Sequence, residues 1–326
     1  MNILLFSQFE EGFNDEFRRR IAEVTPGCVL DDYDSSWPED MYHSKLENAD
    51  IIIGHYNPED TKYMKNVKFI QMDIEGVDFF IHRPELPADT IMCNAGGAYG
   101  NVVAEHAVAL VYALCRDIQY YSEYRLAHRW FRNIPDKSVE GSNVLILGAG
   151  EIGTAAARLL RPLAAKITGA RRTVREKPDV YDEMITLAEV DSVLPESDIV
   201  VCALPATSLT AGFLSKEKLE LLPEDAVIVN VGRGSLIPTD DLIAVLNEGK
   251  IRGAGIDVME VEPLPEDHPL WTCPRLIITP HSAGNCMAQD SPTNRRIYEL
   301  TYRNVSAFLE GRPLKAVVSR ETGYRI

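Results

Sequence analysis

Three short stretches in the C-terminal half bring ionisable side chains to the ends of apolar runs. Asn230-Val231-Gly232-Arg233-Gly234 sets an arginine between glycines. A guanidinium there can grip a carboxylate with two parallel hydrogen bonds, and the glycines relieve crowding around it. Gly255-Ile256-Asp257-Val258-Met259-Glu260-Val261-Glu262-Pro263 ends its run in acids and a proline turn, and Thr279-Pro280-His281-Ser282-Ala283-Gly284 carries a histidine just beyond another. Singly, Arg233 reads equally as a surface cation, Glu262 as a solvated loop acid and His281 as a histidine satisfied by its neighbours. Together they supply a cation for a carboxylate, an imidazole for acid/base work and a carboxylate to tune it.

A fourth stretch sits mid-chain. Gly148-Ala149-Gly150-Glu151-Ile152-Gly153 follows the apolar run Val144–Leu147 and opens an alanine-rich segment from Thr154 to Leu163. Strand, glycines and helix in that order are what a dinucleotide site needs. Gly148 permits a tight turn, Gly150 lets backbone approach a pyrophosphate, and Gly153 allows helix to pack closely on strand. The helix N-terminus then offers N–H groups to the phosphates. A buried glycine-rich turn is the ordinary alternative.

The elements that must position these groups alternate between short apolar runs and helical spacing. Before the fingerprint, Ile3–Ser7, Ile51–Gly54, Lys68–Met72 and Thr90–Cys93 read as buried parallel strands, with helices over Asn14–Val24 and Pro38–Glu47. One long helix is expected over Asn101–Tyr121, linking this region to the next. The second region repeats βα: strand Val144–Leu147, helix Ile152–Leu163 and strand Ala165–Ala170. Further strands are expected at Ile199–Leu204, Val227–Val231, Gly253–Val258 and Leu276–Thr279, with helices at Lys216–Leu222 and Asp240–Glu248. Such alternation predicts doubly wound parallel sheets. A last amphipathic helix, Ser291–Leu309, is expected to return to the first region. The cleft between the two is then the default ligand site.

Composition bounds the class. The 326 residues suit two domains; 45% hydrophobic and 25% charged residues are ordinary for a globular protein. A net charge of −16 with no basic tract argues against nucleic acid, though not against a small anionic substrate. No apolar stretch approaches a membrane span, and the start Met1–Ser7 lacks the basic flank of a signal peptide. The six cysteines (Cys28, Cys93, Cys115, Cys202, Cys273, Cys286) are scattered without metal-ligand spacing, which fits no metal site and a reducing cytoplasm.

The segments GAGEIG (148–153), LPATSLT (204–210), NVGRGSLI (230–237), GAGIDVMEVEPLP (253–265) and TPHSAG (279–284), with EGVD (75–78) and NVVAEHA (101–107) upstream, lie in order over more than 200 residues. In them the chain resembles the D-isomer-specific 2-hydroxyacid dehydrogenase family. The resemblance implies an α/β protein of two Rossmann-like or flavodoxin-like domains, with the cofactor domain inserted into the substrate domain. Residues 1–100 plus 290–326 would form the substrate-binding domain and residues 101–289 the NAD(P)-binding domain. It implies hydride transfer between nicotinamide and C2 of a small 2-keto or 2-hydroxy acid, of glyoxylate or hydroxypyruvate type, and a homodimer. His281 would be the acid/base, Glu262 would hydrogen-bond its imidazole and hold it protonated near neutral pH, and Arg233 would bind the substrate carboxylate and polarise its carbonyl. Glu75, Gly76 and Val77 would meet the substrate from the other domain. Contacts to the cofactor would come from Gly148, Gly150, Glu151, Ile152, Gly153, Leu204, Pro205, Thr210, Val231, Gly232, Asp257, His281, Ala283 and Gly284. Asp257 would orient the carboxamide, whereas Glu260 reads as a bystander, His106 as structural, and Trp130 and Trp271 as packing residues. His43, His55, His82, His128 and His268 match no catalytic position. A 3-phosphoglycerate-type dehydrogenase and a dinucleotide-sensing corepressor are the alternatives within the same resemblance.

Two positions depart from the pattern. Eighteen residues after Gly153, where NAD-preferring relatives carry an acid for the ribose hydroxyls, stand Arg171, Arg172 and Thr173. An arginine cannot accept those hydrogen bonds but can pair with a 2′-phosphate, so NADP(H) is expected over NAD(H); two exposed turn arginines are the plain alternative. Glu75 stands where small or apolar residues are usual. It must be turned outward or paired, or else it recognises a polar or cationic part of the substrate.

Overall fold

Short apolar runs become central strands here because both faces of each sheet are covered, so alternate residues enter two different cores. The computed structural model describes residues 1–6, 15–132, 136–174, 177–285, 290–323 and 325. Ser7, Asn14, Cys286 and the boundary residue 289 lie outside the described residues. Two compact units emerge, one from residues 1–99 with 286–326, the other from residues 100–285.

The first unit opens with β1 (Asn2–Leu5), α1 (Asp15–Val24), β2 (Val29–Asp32), α2 (Glu39–Asn48), β3 (Ile51–Ile53), β4 (Phe69–Gln71), the short α3 (Asp78–Ile81) and β5 (Ile91–Cys93). All pairings are parallel, in the order β2-β1-β3-β4-β5, which is the flavodoxin-like order. Leu4, Ile52, Ile70 and Met92 share one core with Leu46 of α2 and Phe80 of α3. Their neighbours Ile3, Leu5, Ile51, Ile53 and Phe69 enter the opposite core with Phe17 and Ile21 of α1. Strand β2 escapes the expectation of four strands because it is an edge: its residues Val29 to Asp32 are exposed or half-buried, so no apolar run marks it.

The second unit holds α4 (Gly100–Cys115), α5 (Ile118–Leu126), β6 (Asn143–Leu147), α6 (Glu151–Leu160), β7 (Lys166–Arg171), β8 (Glu183–Thr186), β9 (Ile199–Cys202), α7 (Lys216–Leu219), β10 (Val227–Asn230), α8 (Thr239–Asn247), β11 (Gly253–Ile256) and β12 (Leu276–Ile278). The parallel sheet runs β12-β11-β10-β9-β6-β7-β8, the Rossmann order extended by one strand. Leu145 and Leu147 of β6, Val200 of β9, Ile228 of β10 and Ala254 of β11 share a core with Leu219 of α7 and Leu242 and Val245 of α8. On β11, a Cβ at Gly255 would sit 3.1 Å from Leu110 Cβ, so α4 lies close on that strand. The chain then returns to the first unit as α9 (Pro292–Leu309), capped by Ser291, whose side chain accepts from Asn294 N–H. Ile297, Tyr298 and Val305 of α9 complete the core around α1. Among the described residues, no helix is long and apolar enough to cross a membrane.

Three local expectations need correction. The single helix over Asn101–Tyr121 is two helices, broken at Asp117, which takes a left-handed φ of 51°. The cause is Arg252, 8% exposed, which reaches the last carbonyls of α4 at Leu114 and Cys115 and pairs with the buried Asp117 carboxylate. Helix α7 stops at Leu219 rather than Leu222, where the chain tightens: Leu221 N–H and Leu222 N–H donate three residues back, to Lys218 O and Leu219 O. Trp130 does not pack: it is 88% exposed. Trp271 is also largely exposed, its indole N–H donating to Pro265 O at 2.8 Å.

Candidate active site

Reading the carboxyl edge of the seven-stranded sheet strand by strand orders the chemistry. His281 follows β12, Asp257 and Glu262 follow β11, Arg233 follows β10, Leu204 and Pro205 follow β9, Gly148 follows β6, and Arg171 ends β7. Ligands of open α/β sheets bind along this edge, at the point where strand order reverses. Here that point lies between β6 and β9.

The histidine is fixed from two sides. Its Nδ1 lies 2.7 Å from Glu262 Oε2, with the imidazole about half exposed. The other Glu262 oxygen accepts from Met259 N–H at 2.8 Å. Because Nδ1 is engaged, Nε2 is the ring nitrogen left for proton exchange. On the backbone side, His281 has a φ of 51°, an uncommon conformation for a residue with a side chain. It is held there by its N–H, which donates to Asp257 O at 2.8 Å. The Asp257 carboxylate, 1% exposed, accepts from Ser282 N–H at 2.8 Å, Ala283 N–H at 2.9 Å and Thr279 Oγ1 at 2.6 Å. His106 Nε2 lies 2.9 Å from Thr279 Oγ1 and 3.7 Å from Asp257 Oδ1, which ties α4 into the same network.

Arg233 is braced by its own strand. Asn230, 1% exposed, donates through Nδ2 to Arg233 O at 3.0 Å and accepts from Gly232 N–H through Oδ1 at 3.1 Å. Gly234 cannot be larger: a Cβ there would lie 2.0 Å from the carbonyl of Met259. That contact seats the arginine loop against the segment that carries Glu262. Arg233 itself is half-buried and donates from Nη1 to Gly232 O at 2.8 Å. Glu260 faces elsewhere, its Oε2 accepting from Thr239 N–H at the start of α8.

The glycine turn has the shape a pyrophosphate requires. Gly148 has a φ of 99°, and a Cβ on it would lie 2.5 Å from Ala203 O. One on Gly153 would lie 2.2 Å from Gly148 O, whereas one on Gly150 would meet nothing within 4 Å. The turn is therefore packed behind and open in front, where Gly150 and Glu151 are exposed and Ile152 is half-buried at the start of α6. Arg171 is half-buried, and Arg172 and Thr173 are exposed beyond it. Leu204, Val231, Gly232 and Ala283 are buried in the edge loops, Pro205 is exposed and Gly284 is half-buried. Thr210 is buried and bonded within its loop, donating to Pro205 O at 2.6 Å and accepting from Thr207 N–H at 2.9 Å, so it shapes the turn.

The first unit carries the other candidate segment, Glu75-Gly76-Val77. Among the described residues, neither Gly76 N–H nor Val77 N–H donates to a backbone carbonyl. Glu75 is paired: its Oε1 lies 3.5 Å from Arg325 Nη2. Just upstream, Asp73 Oδ1 lies 2.7 Å from His55 Nδ1, and Asp73 O accepts from Tyr99 OH at 2.8 Å. Sequence reading did not single out Arg325 or the bracing Asn230. Arg325 meets a partner far along the chain and leaves no local pattern; Asn230 was visible beside Arg233 but its buried amide was not.

Comparison with known proteins agrees with this arrangement. Residues 108–283 match the model of the D-isomer specific 2-hydroxyacid dehydrogenase NAD binding domain. The glyoxylate/hydroxypyruvate reductase A of Klebsiella pneumoniae strain 342 is 32% identical over 69% of this chain and 70% of its own. Among solved structures, a D-isomer specific 2-hydroxyacid dehydrogenase family protein from Aeromonas salmonicida superposes with a TM-score of 0.83 at 28% identity, covering 98% of this chain and 99% of the other. The NADPH-dependent glyoxylate/hydroxypyruvate reductase of Sinorhizobium meliloti, in complex with NADP and sulfate, superposes with a TM-score of 0.82 at 25% identity over 99% of both chains. The chain belongs to the D-isomer specific 2-hydroxyacid dehydrogenase family. It is an oxidoreductase that acts on CH–OH donors with a nicotinamide dinucleotide.

Proposed function

We propose that this protein is an NADP(H)-linked reductase of small 2-keto acids, of the glyoxylate or hydroxypyruvate type, with Arg233, Glu262 and His281 at its reacting centre. The observation that carries the reading is the 2.7 Å contact between His281 Nδ1 and Glu262 Oε2 on loops adjacent to that of Arg233. The dinucleotide, when bound on the Gly148–Gly153 turn, supplies the hydride. Around that step, His281 Nε2 delivers a proton to the C2 oxygen as negative charge develops there, and recovers one in the reverse direction. Glu262 holds the imidazole in orientation and favours its charged form by opposite charge at hydrogen-bond distance. Arg233 grips the substrate carboxylate and draws electron density from the C2 carbonyl. In the first unit, Glu75, Gly76 and Val77 are the proposed substrate-binding residues.

Asp257, Leu204, Pro205, Thr210, Val231, Gly232, Ala283 and Gly284 shape the cofactor edge between the glycine turn and His281. The preference for NADP(H) rests on Arg171, Arg172 and Thr173 at the end of β7, where a 2′-phosphate would meet two guanidinium groups and a hydroxyl. The NADP complex of the Sinorhizobium relative supports the same choice.

A homodimer is part of the reading. Helix α5 buries none of its nine residues, and a free-standing helix this short is marginal in water. Ile118, Leu126, Trp130 and Phe131 are exposed along it and the following loop, which lines an open cavity of about 590 Å³ together with Arg125, Arg129 and Arg132. An apolar strip with arginines complements a second copy of a chain whose net charge is −16. The five described cysteines are unpaired thiols, which fits a reducing cytoplasm.

The test is a panel of 2-keto acids assayed with NADPH and NADH. Oxidation of NADPH with glyoxylate or hydroxypyruvate is expected. No turnover across the panel would overturn the reductase reading, and a kcat/KM for NADH at or above that for NADPH would overturn the cofactor preference.

A further inference from the structure

The substrate segment of the first unit carries a carboxylate directly before two residues proposed to bind another. Glu75 precedes Gly76 and Val77, and its backbone carbonyl is fixed by Asn94 Nδ2 at 2.8 Å. An unscreened acid there would repel a 2-keto acid. The structure brings a cation to it from the far end of the chain. Val317 bridges Cys93 at the end of β5, Val318 bridges Arg325, and Arg320 secures the tail by donating to Pro87 O at 2.7 Å and Arg83 O at 3.0 Å. Arg325 then lies against Gly96, where a Cβ would stand 2.3 Å from Nη1 and 2.8 Å from Cζ. A larger residue there would displace the guanidinium from its present position. Gly96 N–H in turn donates to Asn94 Oδ1 at 3.1 Å, so one asparagine ties the seat of the arginine to the backbone of the acid.

We propose that Arg325 is a specificity-determining residue of the reductase: paired with Glu75, it cancels the charge of that carboxylate and so lets the Gly76–Val77 segment hold an anionic substrate. The inference rests on the function proposed above and adds the C-terminal tail to its substrate site. It assigns Arg325 to binding of the anion and not to the chemical step. Charge removal and charge restoration therefore have opposite signs. Loss of Arg325 alone removes a positive charge beside Glu75, whereas loss of both removes the pair.

Steady-state kinetics with glyoxylate and saturating dinucleotide test this, alongside calorimetric binding of oxamate, which needs no turnover. The R325A variant is expected to raise KM about tenfold, or ~1.4 kcal/mol, with kcat moving less than twofold. The loss should shrink at high salt, which screens the exposed charge. R325K should recover most of the affinity, E75Q alone should lower KM, and E75Q/R325A should bring it back towards the parent value. An unchanged KM in R325A, or an E75Q/R325A double variant as impaired as R325A, overturns the proposal. If R325A does not fold, E75Q alone decides: a raised KM and weaker oxamate binding overturn it. Failure of the parent enzyme to turn over any 2-keto acid would instead count against the reductase reading, and oxamate affinities across the same variants would still decide whether Arg325 neutralises Glu75.

Discussion

Replacing Glu262 by glutamine isolates the part of the site that depends on charge. The carboxylate makes two contacts, Oε1 with Met259 N–H at 2.8 Å and Oε2 with His281 Nδ1 at 2.7 Å. A glutamine can keep the first through its carbonyl oxygen. At the second it presents either an NH2 group, which forces Nδ1 to accept, or nothing charged. A hydrogen bond to an ionised partner contributes about 1.5–3 kcal/mol and a neutral one about 0.5–1.5 kcal/mol, so the charge itself is worth about 1–1.5 kcal/mol before screening. Glu262 and His281 side chains are 31% and 52% exposed, which places the effect at the lower end of that range.

E262Q should therefore lose about fivefold in kcat/KM, since about 1.36 kcal/mol is tenfold in rate and about 1 kcal/mol is at stake. E262A, which removes both contacts and frees the ring, should lose about a hundredfold. The assay is NADPH oxidation with saturating cofactor over a range of glyoxylate. Glu260→Gln is the matched control, because its amide oxygen can still accept from Thr239 N–H and so keep the anchor to α8, while the charge it removes does not contact the histidine. An E262Q enzyme within twofold of the parent would refute the reasoning, as would an equal loss in E260Q.

Other consequences follow from the same contacts. Asp257→Asn replaces a buried acceptor of three hydrogen bonds with a group that must turn a donor toward one of them; about 2–3 kcal/mol of stability should be lost in urea unfolding, and an unchanged midpoint would remove Asp257 from the loop's support. Burial pushes the Cys115 thiol up to about 11 and the Cys93 thiol up to about 12, from 9.0, and raises the Tyr42, Tyr56 and Tyr302 phenols. The folded chain thus holds these protons more tightly than the unfolded one, so stability is intact below about pH 9 and declines above it; the urea midpoint should be lower at about pH 10.5 than at about pH 8, and equal midpoints would contradict this. Leu126→Glu puts a charge on the exposed strip of α5, where Leu126 is 69% exposed. Sedimentation should show a dimer shifting to monomer, and a variant that sediments like the parent would argue against this surface as the interface.

The central strands were legible in the sequence because burial on both faces leaves continuous apolar runs, as in Val227–Asn230 and Ile199–Cys202. The candidate site residues were legible for a related reason: in a parallel sheet the ligand edge lies where those runs stop, and Arg233, Glu262 and His281 all stand just past one. Two of the four edge strands, β2 and β8, were not, whereas the edge strands β5 and β12 still carry apolar runs. Residues 183–186 and 29–32 pair on one side only and are partly exposed, so their composition is mixed. Nor was the break at Asp117, whose cause is Arg252, 135 residues onward. The same holds for Glu75, where sequence posed the right question and only tertiary structure supplied Arg325, 250 residues away.

The position of His281 depends more on β11 than on β12, the strand it follows. Its backbone N–H bonds Asp257 O, the N–H groups of Ser282 and Ala283 bond the Asp257 carboxylate, and its ring bonds Glu262. Every one of these acceptors lies within residues 257–262. That segment is anchored in turn by Glu260 to α8 and by the close approach of Met259 to Gly234 in the arginine loop. A left-handed backbone at a residue with a side chain costs about 1–2 kcal/mol, and four hydrogen bonds from one neighbouring segment are enough to hold it. The consequence is mechanical coupling between the proposed acid/base and anion-binding groups. A side chain added at Gly234 would strike Met259 and shift the segment that orients the imidazole. Loss of proton transfer is then expected from a substitution beside the arginine, with the histidine untouched.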